Sequence, residues 1–185
     1  MRKIIIALLA LGTIATALAA DVGGVRLDDK VSVGGQELVL NGAGIRTRLM
    51  FKVYVASLYV PNKAADLSAV LAASPRRIQM NLLRNLSPDQ LVDALVEGLN
   101  ENNPAQEMAA IKMQTDQLVT IMKAFKEVKE KDVVTLDFVD GATKVSLNGE
   151  SRGTILGEAF NKALTRIWLG DKPVQADLKK AMFGG

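Results

Sequence analysis

The sequence predicts an α+β fold, one antiparallel sheet with helices on one face. Two observations lead there. Candidate strands fall into two groups, one before and one after a helical block, instead of alternating with helices. Tight two-residue turns, Gly34-Gly35, Asp140-Gly141 and Asn148-Gly149, join neighbouring strands so that the chain doubles back. No repeat, long linker or shift in composition marks a second domain.

The chain opens with Met1-Arg2-Lys3, an apolar run from Ile4 to Leu11, and the small-x-small tripeptide Ala17-Leu18-Ala19. This is the pattern of a secretory leader, and the run is short for a membrane span of about 20 residues. The expectation is a cleaved signal peptide over residues 1–20, a domain over 21–185, and an exported, periplasmic protein. With no Cys, there is no site for a lipid-acylated N-terminal cysteine.

Short strands are expected at Val25–Leu27 and Val31–Val33, with Gln36–Leu40 returning after Gly34-Gly35. Asn41-Gly42 and Gly44 read as breaks. The following stretch reads as a strand ending at Pro61, with Met50–Val60 apolar at both parities as in a two-sided central strand. Lys63–Ala73 predicts a short helix. Arg77–Leu83 alternates Ile78, Met80 and Leu82 with Arg77, Gln79 and Asn81, a half-exposed strand.

Ser87-Pro88-Asp89-Gln90 supplies an N-cap, a proline at the first helical position and a glutamine three after the cap. Leu91, Leu95 and Leu99 form that helix's apolar stripe. Asn103-Pro104-Ala105-Gln106 starts a second helix, read as continuous to about Phe125. Val133–Phe138, Lys144–Leu147 and Ser151–Ile155 form a meander. Gly157–Trp168 is amphipathic through Phe160, Leu164 and Ile167, and Ala176–Met182 makes a last helix. Trp168, the one tryptophan, is expected to pin the C-terminal helix to the sheet. Met108, Met113 and Met122 read as core filler.

Composition removes whole classes of chemistry. With no His there is no Ser-His-Asp triad and no imidazole base, and with no Cys there is neither a thiol nucleophile nor a disulfide. The totals are 23 basic against 20 acidic residues. Arg2 and Lys3 fall in the leader, so the remainder is close to neutral and offers no basic footprint for nucleic acid. Asp137, Asp140 and Glu150 lack the spacing of a carboxylate pair or calcium loop, and no glycine run forms a phosphate loop. No metal site and no cofactor are assigned.

Three stretches resemble the bacterial branch of the chalcone isomerase-like family. They are "GAGIRTRLMFKVYVASLYV" (42–60), "MNLLRNLSPDQLVDAL" (80–95) and "FNKALTRIWLGDKPVQADLKKAMFG" (160–184), in the family's order. The resemblance implies that family's open-faced β-sandwich. It also aligns Arg46 with the arginine that plant isomerases use for cyclisation. Tyr54 falls where those enzymes have a strand threonine. Leu86 falls where they have a tyrosine, and Ile167 where they have a late threonine. Two of the enzymes' hydroxyl positions are thus apolar here, which argues against flavonoid cyclisation.

Some members of the superfamily bind fatty acids through an Arg and a Tyr, and the resemblance offers Arg46 and Tyr54 for those parts, with Arg48 beside them. An arginine fork matches a carboxylate, and a phenol adds a neutral donor. Read as one strand, this segment puts Arg46, Arg48, Lys52 and Tyr54 on one face if no bulge intervenes, with Lys52 as bystander. Arg46 could instead pair with an internal acid. The expected function is non-catalytic binding of a small amphipathic carboxylate such as a fatty acid. The alternatives are an intramolecular lyase acting on an enone and an accessory protein working through its surface.

Overall fold

The backbone of the domain is a seven-stranded antiparallel sheet laid out in chain order. In the computed structural model, which describes residues 20–185, the strands are β3 (Lys30–Val33), β4 (Gln36–Arg48), β5 (Phe51–Val60), β6 (Arg76–Leu82), β7 (Val133–Val139), β8 (Ala142–Leu147) and β9 (Glu150–Leu156). A separate two-stranded ribbon, β1 (Ala20–Val22) and β2 (Val25–Leu27), precedes them. The helices are α1 (Leu67–Ala72), α2 (Pro88–Asn102), α3 (Ala105–Ala110), α4 (Lys112–Lys123), α5 (Glu158–Leu169) and α6 (Ala176–Met182). Apart from Ala20, the expected leader lies outside the described residues.

Alternation sorts the sheet into two faces. Registered partners Tyr54–Leu82, Ala56–Met80 and Leu58–Ile78 share one face, continued by Val134, Leu136 and Phe138 on β7 and by Val145 and Leu147 on β8. These residues join Leu95, Leu99, Leu118, Phe160, Leu164 and Ile167 from the helices in one core. On the opposite face Arg77 grips Asp137 with two hydrogen bonds, the longer 2.7 Å, and Gln79 bonds Asn81. This is an open-faced sandwich: a curled antiparallel sheet backed by one helical layer.

The helix starts follow the sequence logic. Ser87 caps α2 through Gln90 N, and the Gln90 side chain returns a bond to Ser87 N, a complete capping box with Pro88 at the first position. Two expected helices shrink or divide. Lys63–Ala73 becomes α1 alone, starting after its N-cap Asp66. The span to Phe125 splits at buried Ile111, whose φ of −104° and ψ of 10° leave the helical basin between α3 and α4.

The largest correction concerns the segment from Gln36 to Val60. Asn41, Gly42 and Gly44 do not break it; β4 runs through all three, with a bulge between Leu40 and Gly42. A Cβ on Gly42 would lie 2.1 Å from the Ala181 carbonyl oxygen, so these glycines let the backbone of α6 seat directly on the strand. The chain instead reverses at Leu49-Met50. Both residues have positive φ, 48° and 71°, the pattern of a two-residue type I′ turn. Arg46 and Arg48 therefore stand on β4, and Lys52 and Tyr54 on β5.

Candidate functional site

The reversal at Leu49-Met50 brings Arg46 opposite Tyr54, a registered pair on the helix-facing side of the sheet. Directly beyond that pair the register slips, so that Thr47 faces Lys52 and Arg48 faces Phe51. The two-residue turn by itself would put the even residues of β4 and β5 on opposite faces. The bulge returns Tyr54 to the face of Arg46 and leaves Lys52 paired with Thr47, so the four residues do not share one face as expected. Arg48 reaches the rim, its side chain 59% exposed and 4.0 Å from Glu97 on α2. Lys52 is exposed and does not line the hollow described below.

Arg46 is half-buried and has no carboxylate within ion-pair distance among the described residues. Its Nη1 donates to the Thr47 carbonyl at 2.6 Å and, at 3.5 Å, to Gln175 Oε1. The Gln175 amide also accepts from Thr47 N at 2.8 Å and donates to the Ile45 carbonyl at 3.2 Å. Gln175 is the N-cap residue of α6, so the seating of that helix on Gly42 and Gly44 also fixes the strand that carries Arg46. The expected alternative, an arginine spent on an internal acid, does not occur among the described residues.

Tyr54 lies beneath α5. The Trp168 indole N–H donates to its hydroxyl at 3.1 Å, so Trp168 ties the helix to the sheet by a hydrogen bond as well as by packing. The hydroxyl's own proton has no acceptor among the described residues. Burial pushes the Tyr54 pKa above its ordinary value of 10.0, outweighing the Trp168 bond and the nearby Arg46 charge, which pull it down. Tyr54 is accordingly a neutral donor throughout the physiological range.

These side chains border a hollow of about 600 Å³ between sheet and helices, within the usual range of small-molecule sites. Its floor is Tyr54, Met80, Leu82, Val134, Leu136 and Val145. Its walls are Leu91, Leu95 and Gly98 of α2, Leu118 and Met122 of α4, Phe125, and Ile167 and Trp168 of α5. Met122, read as core filler, faces this space. At the mouth, Arg48, Leu49, Phe51 and Arg84 stand on one rim and Asp93, Glu97 and Glu101 on the other. Leu86 and Ile167 also line the hollow, so the four positions that the resemblance matches to the plant enzymes' catalytic residues all border it. Of the three matched to hydroxyl residues, only Tyr54 keeps a hydroxyl.

A buried polar network holds α5 in place over this space. Thr143 of β8 donates to Asn161, and Thr165 donates to the Asn161 carbonyl at 2.8 Å. Arg76 Nη2 reaches Thr165 Oγ1 at 3.2 Å and Nη1 reaches the Ala73 carbonyl at 3.1 Å, with the guanidinium 4.6 Å from the Phe138 ring centroid. Sequence reasoning missed Gln175, Arg76 and the acidic rim. Only the rim left a signal, since Asp93, Glu97 and Glu101 recur every fourth residue on one helix face.

The architecture is thus a one-sided sandwich enclosing an apolar hollow bordered by a cation and a phenol. The family model described as chalcone isomerase-like matches residues 19–184, and the chain belongs to that family. Among solved structures, a fatty-acid binding protein of Arabidopsis thaliana is similar with a TM-score of 0.66 at 11% identity, covering 86% of this chain and 92% of that one. That likeness is one of fold. No curated protein matches the chain by sequence.

Proposed function

We propose that the protein binds a small amphipathic carboxylate such as a fatty acid, without catalysing its conversion. The observation that carries this reading is Arg46: a half-buried guanidinium with no acid partner among the described residues, beside a neutral phenol, on the wall of an apolar hollow. A ligand carboxylate would take the arginine fork and the free Tyr54 proton, while the acyl tail lies on Met80, Leu82, Val134 and Leu136. The Arabidopsis neighbour is described as a fatty-acid binding protein, which supports this choice of ligand class for the fold. Leu86 and Ile167 support binding over enone cyclisation, because positioned hydroxyls are absent where the plant enzymes have them.

Export to the periplasm with loss of residues 1–20 belongs to the same proposal, supported by the basic, apolar and small-residue order of that segment. Intact-mass measurement on a periplasmic fraction tests it. Among the described residues no helix is long and apolar enough to cross a membrane.

Native mass spectrometry of the purified protein tests the ligand. The expected result is copurified acyl carboxylate, and a thermal shift with fatty acids that the matching alcohols do not reproduce. Absence of both would reject the reading, and measurable turnover of a chalcone would replace it with the enzymatic one.

A further inference from the structure

Five hairpins among the described residues close through two-residue turns. Four use Gly23-Gly24, Gly34-Gly35, Asp140-Gly141 and Asn148-Gly149, residues that enter positive φ readily. The fifth, between β4 and β5, uses Leu49-Met50. Neither residue favours that backbone, so turn formation does not explain their presence.

Nor does packing. Leu49 is 82% exposed, Met50 93% and the adjoining Phe51 59%, the three forming a continuous apolar tip. Cations surround it. Arg48 and Lys52 flank it in sequence, both exposed, and the Arg84 guanidinium lies 4.9 Å from the Phe51 ring centroid. The acids nearby, Asp93, Glu97 and Glu101, belong to α2 across the mouth, with Glu97 4.0 Å from Arg48.

We propose that this hairpin tip docks on an anionic lipid bilayer. Leu49, Met50 and Phe51 enter the interfacial layer, and Arg48, Lys52 and Arg84 contact phosphate headgroups. A protruding three-residue apolar tip in a cationic collar suits an interface that is apolar below and anionic above. Each basic residue brought near such a surface raises partitioning about fivefold. An anionic surface repels Asp93, Glu97 and Glu101 of α2, which tilts the molecule so that the hairpin meets the bilayer first. The inference holds whatever molecule occupies the hollow.

The chain has no cysteine, so a fluorophore that reports polarity can be placed at one introduced site. The expected result is a blue shift for Met50→Cys on vesicles of phosphatidylglycerol and phosphatidylethanolamine, with none on phosphatidylcholine. The same fluorophore at Ser32→Cys, on β3, should show no shift on either. L49N/M50G supplies the turn residues favoured for a type I′ hairpin. It should keep or raise the melting temperature while lowering the vesicle-bound fraction roughly tenfold, because interfacial binding scales with buried apolar area. No shift at position 50, equal shifts at both positions, or unchanged binding of L49N/M50G would overturn the proposal. So would lipid-independent dimers that L49N/M50G abolishes, which would make a second copy of the chain the occupant of the tip.

Discussion

Arg46 and Tyr54 face each other across the β4–β5 pair, one a cation without an acid partner among the described residues and the other a phenol whose oxygen accepts from Trp168. Each therefore has bonding capacity left at the border of the same hollow. The arginine has unused N–H groups and the tyrosine a free proton, while their protein contacts fix where both point.

Replacing Arg46 with Gln should weaken fatty-acid binding by about 10- to 100-fold, because a charge-assisted hydrogen bond contributes roughly 1.5–3 kcal/mol. Binding of the matching alcohol should stay within about twofold, since its uncharged head loses no ion pairing. Isothermal titration with acid and alcohol in parallel separates this effect from a general loss of fold.

Tyr54→Phe should destabilise the protein by about 1–2 kcal/mol, since it leaves the Trp168 indole N–H without an acceptor. It should also change the pH profile. The folded-state pKa of Tyr54 is raised above 10.0, so near and above pH 10 the unfolded chain loses this proton first. Stability contributed by the neutral phenol is then present below about pH 10 and falls as pH rises through the folded pKa. Denaturant melts from pH 8 upward should show that fall steeper in wild type than in Tyr54→Phe. Tyr59, whose pKa burial also raises, remains in both proteins and cancels.

Arg76 is 4% exposed and has no carboxylate within ion-pair distance among the described residues, and burial lowers its pKa to about 10 against the opposing pull of the Glu158 charge. Arg76→Met should be neutral or stabilising by up to about 2 kcal/mol, because it removes a desolvated charge while filling much the same space. Arg76→Ala should instead cost about 2–4 kcal/mol through the void left beneath Phe138. The two melting temperatures should bracket that of the wild type.

Gly42→Ala should cost at least about 3 kcal/mol, since the added methyl would sit 2.1 Å from the backbone oxygen of Ala181 and could be accommodated only by lifting α6. Fatty-acid affinity should fall with stability, because Gln175 at the start of α6 steadies the strand bearing Arg46. Gly141→Ala, in an open turn, provides the comparison. It meets no atom within 4 Å and should lose only the small amount set by its φ of 70°.

Val134→Phe should fill part of the hollow. It should stabilise the empty protein by about 0.5–2 kcal/mol and shift preference toward shorter acyl chains. Chain-length profiles by thermal shift provide the measurement.

The fold was readable because its signals are local. The Ser87–Gln90 capping box, the Asp140-Gly141 and Asn148-Gly149 turns, and the alternation of Ile78, Met80 and Leu82 each act within a few residues. The hairpin at Leu49-Met50 was not readable, because neither residue favours the left-handed backbone, which costs an L residue roughly 1–2 kcal/mol. The glycines misled in the opposite direction. Gly42 and Gly44 looked like breaks because the helix backbone they accommodate lies more than a hundred residues later.

The pairing of Arg46 and Tyr54 was expected from the family resemblance, while the reading as one strand put them on a common face but eight residues, about 27 Å, apart. They meet instead by cross-strand pairing. Gln175 left no mark in the sequence, since a lone glutamine before a short helix carries no periodicity.

Beyond Val39, β4 has strand β5 on one side only, and its other side is occupied by side chains: Lys63 at the Leu40 and Asn41 carbonyls, Gln175 at Ile45 and Thr47. These contacts occupy backbone groups that would otherwise recruit a strand from another molecule. The amide of Gln175 thus guards against self-association as well as steadying Arg46. Removing it should leave those backbone groups open to strand pairing between molecules before it unfolds the domain.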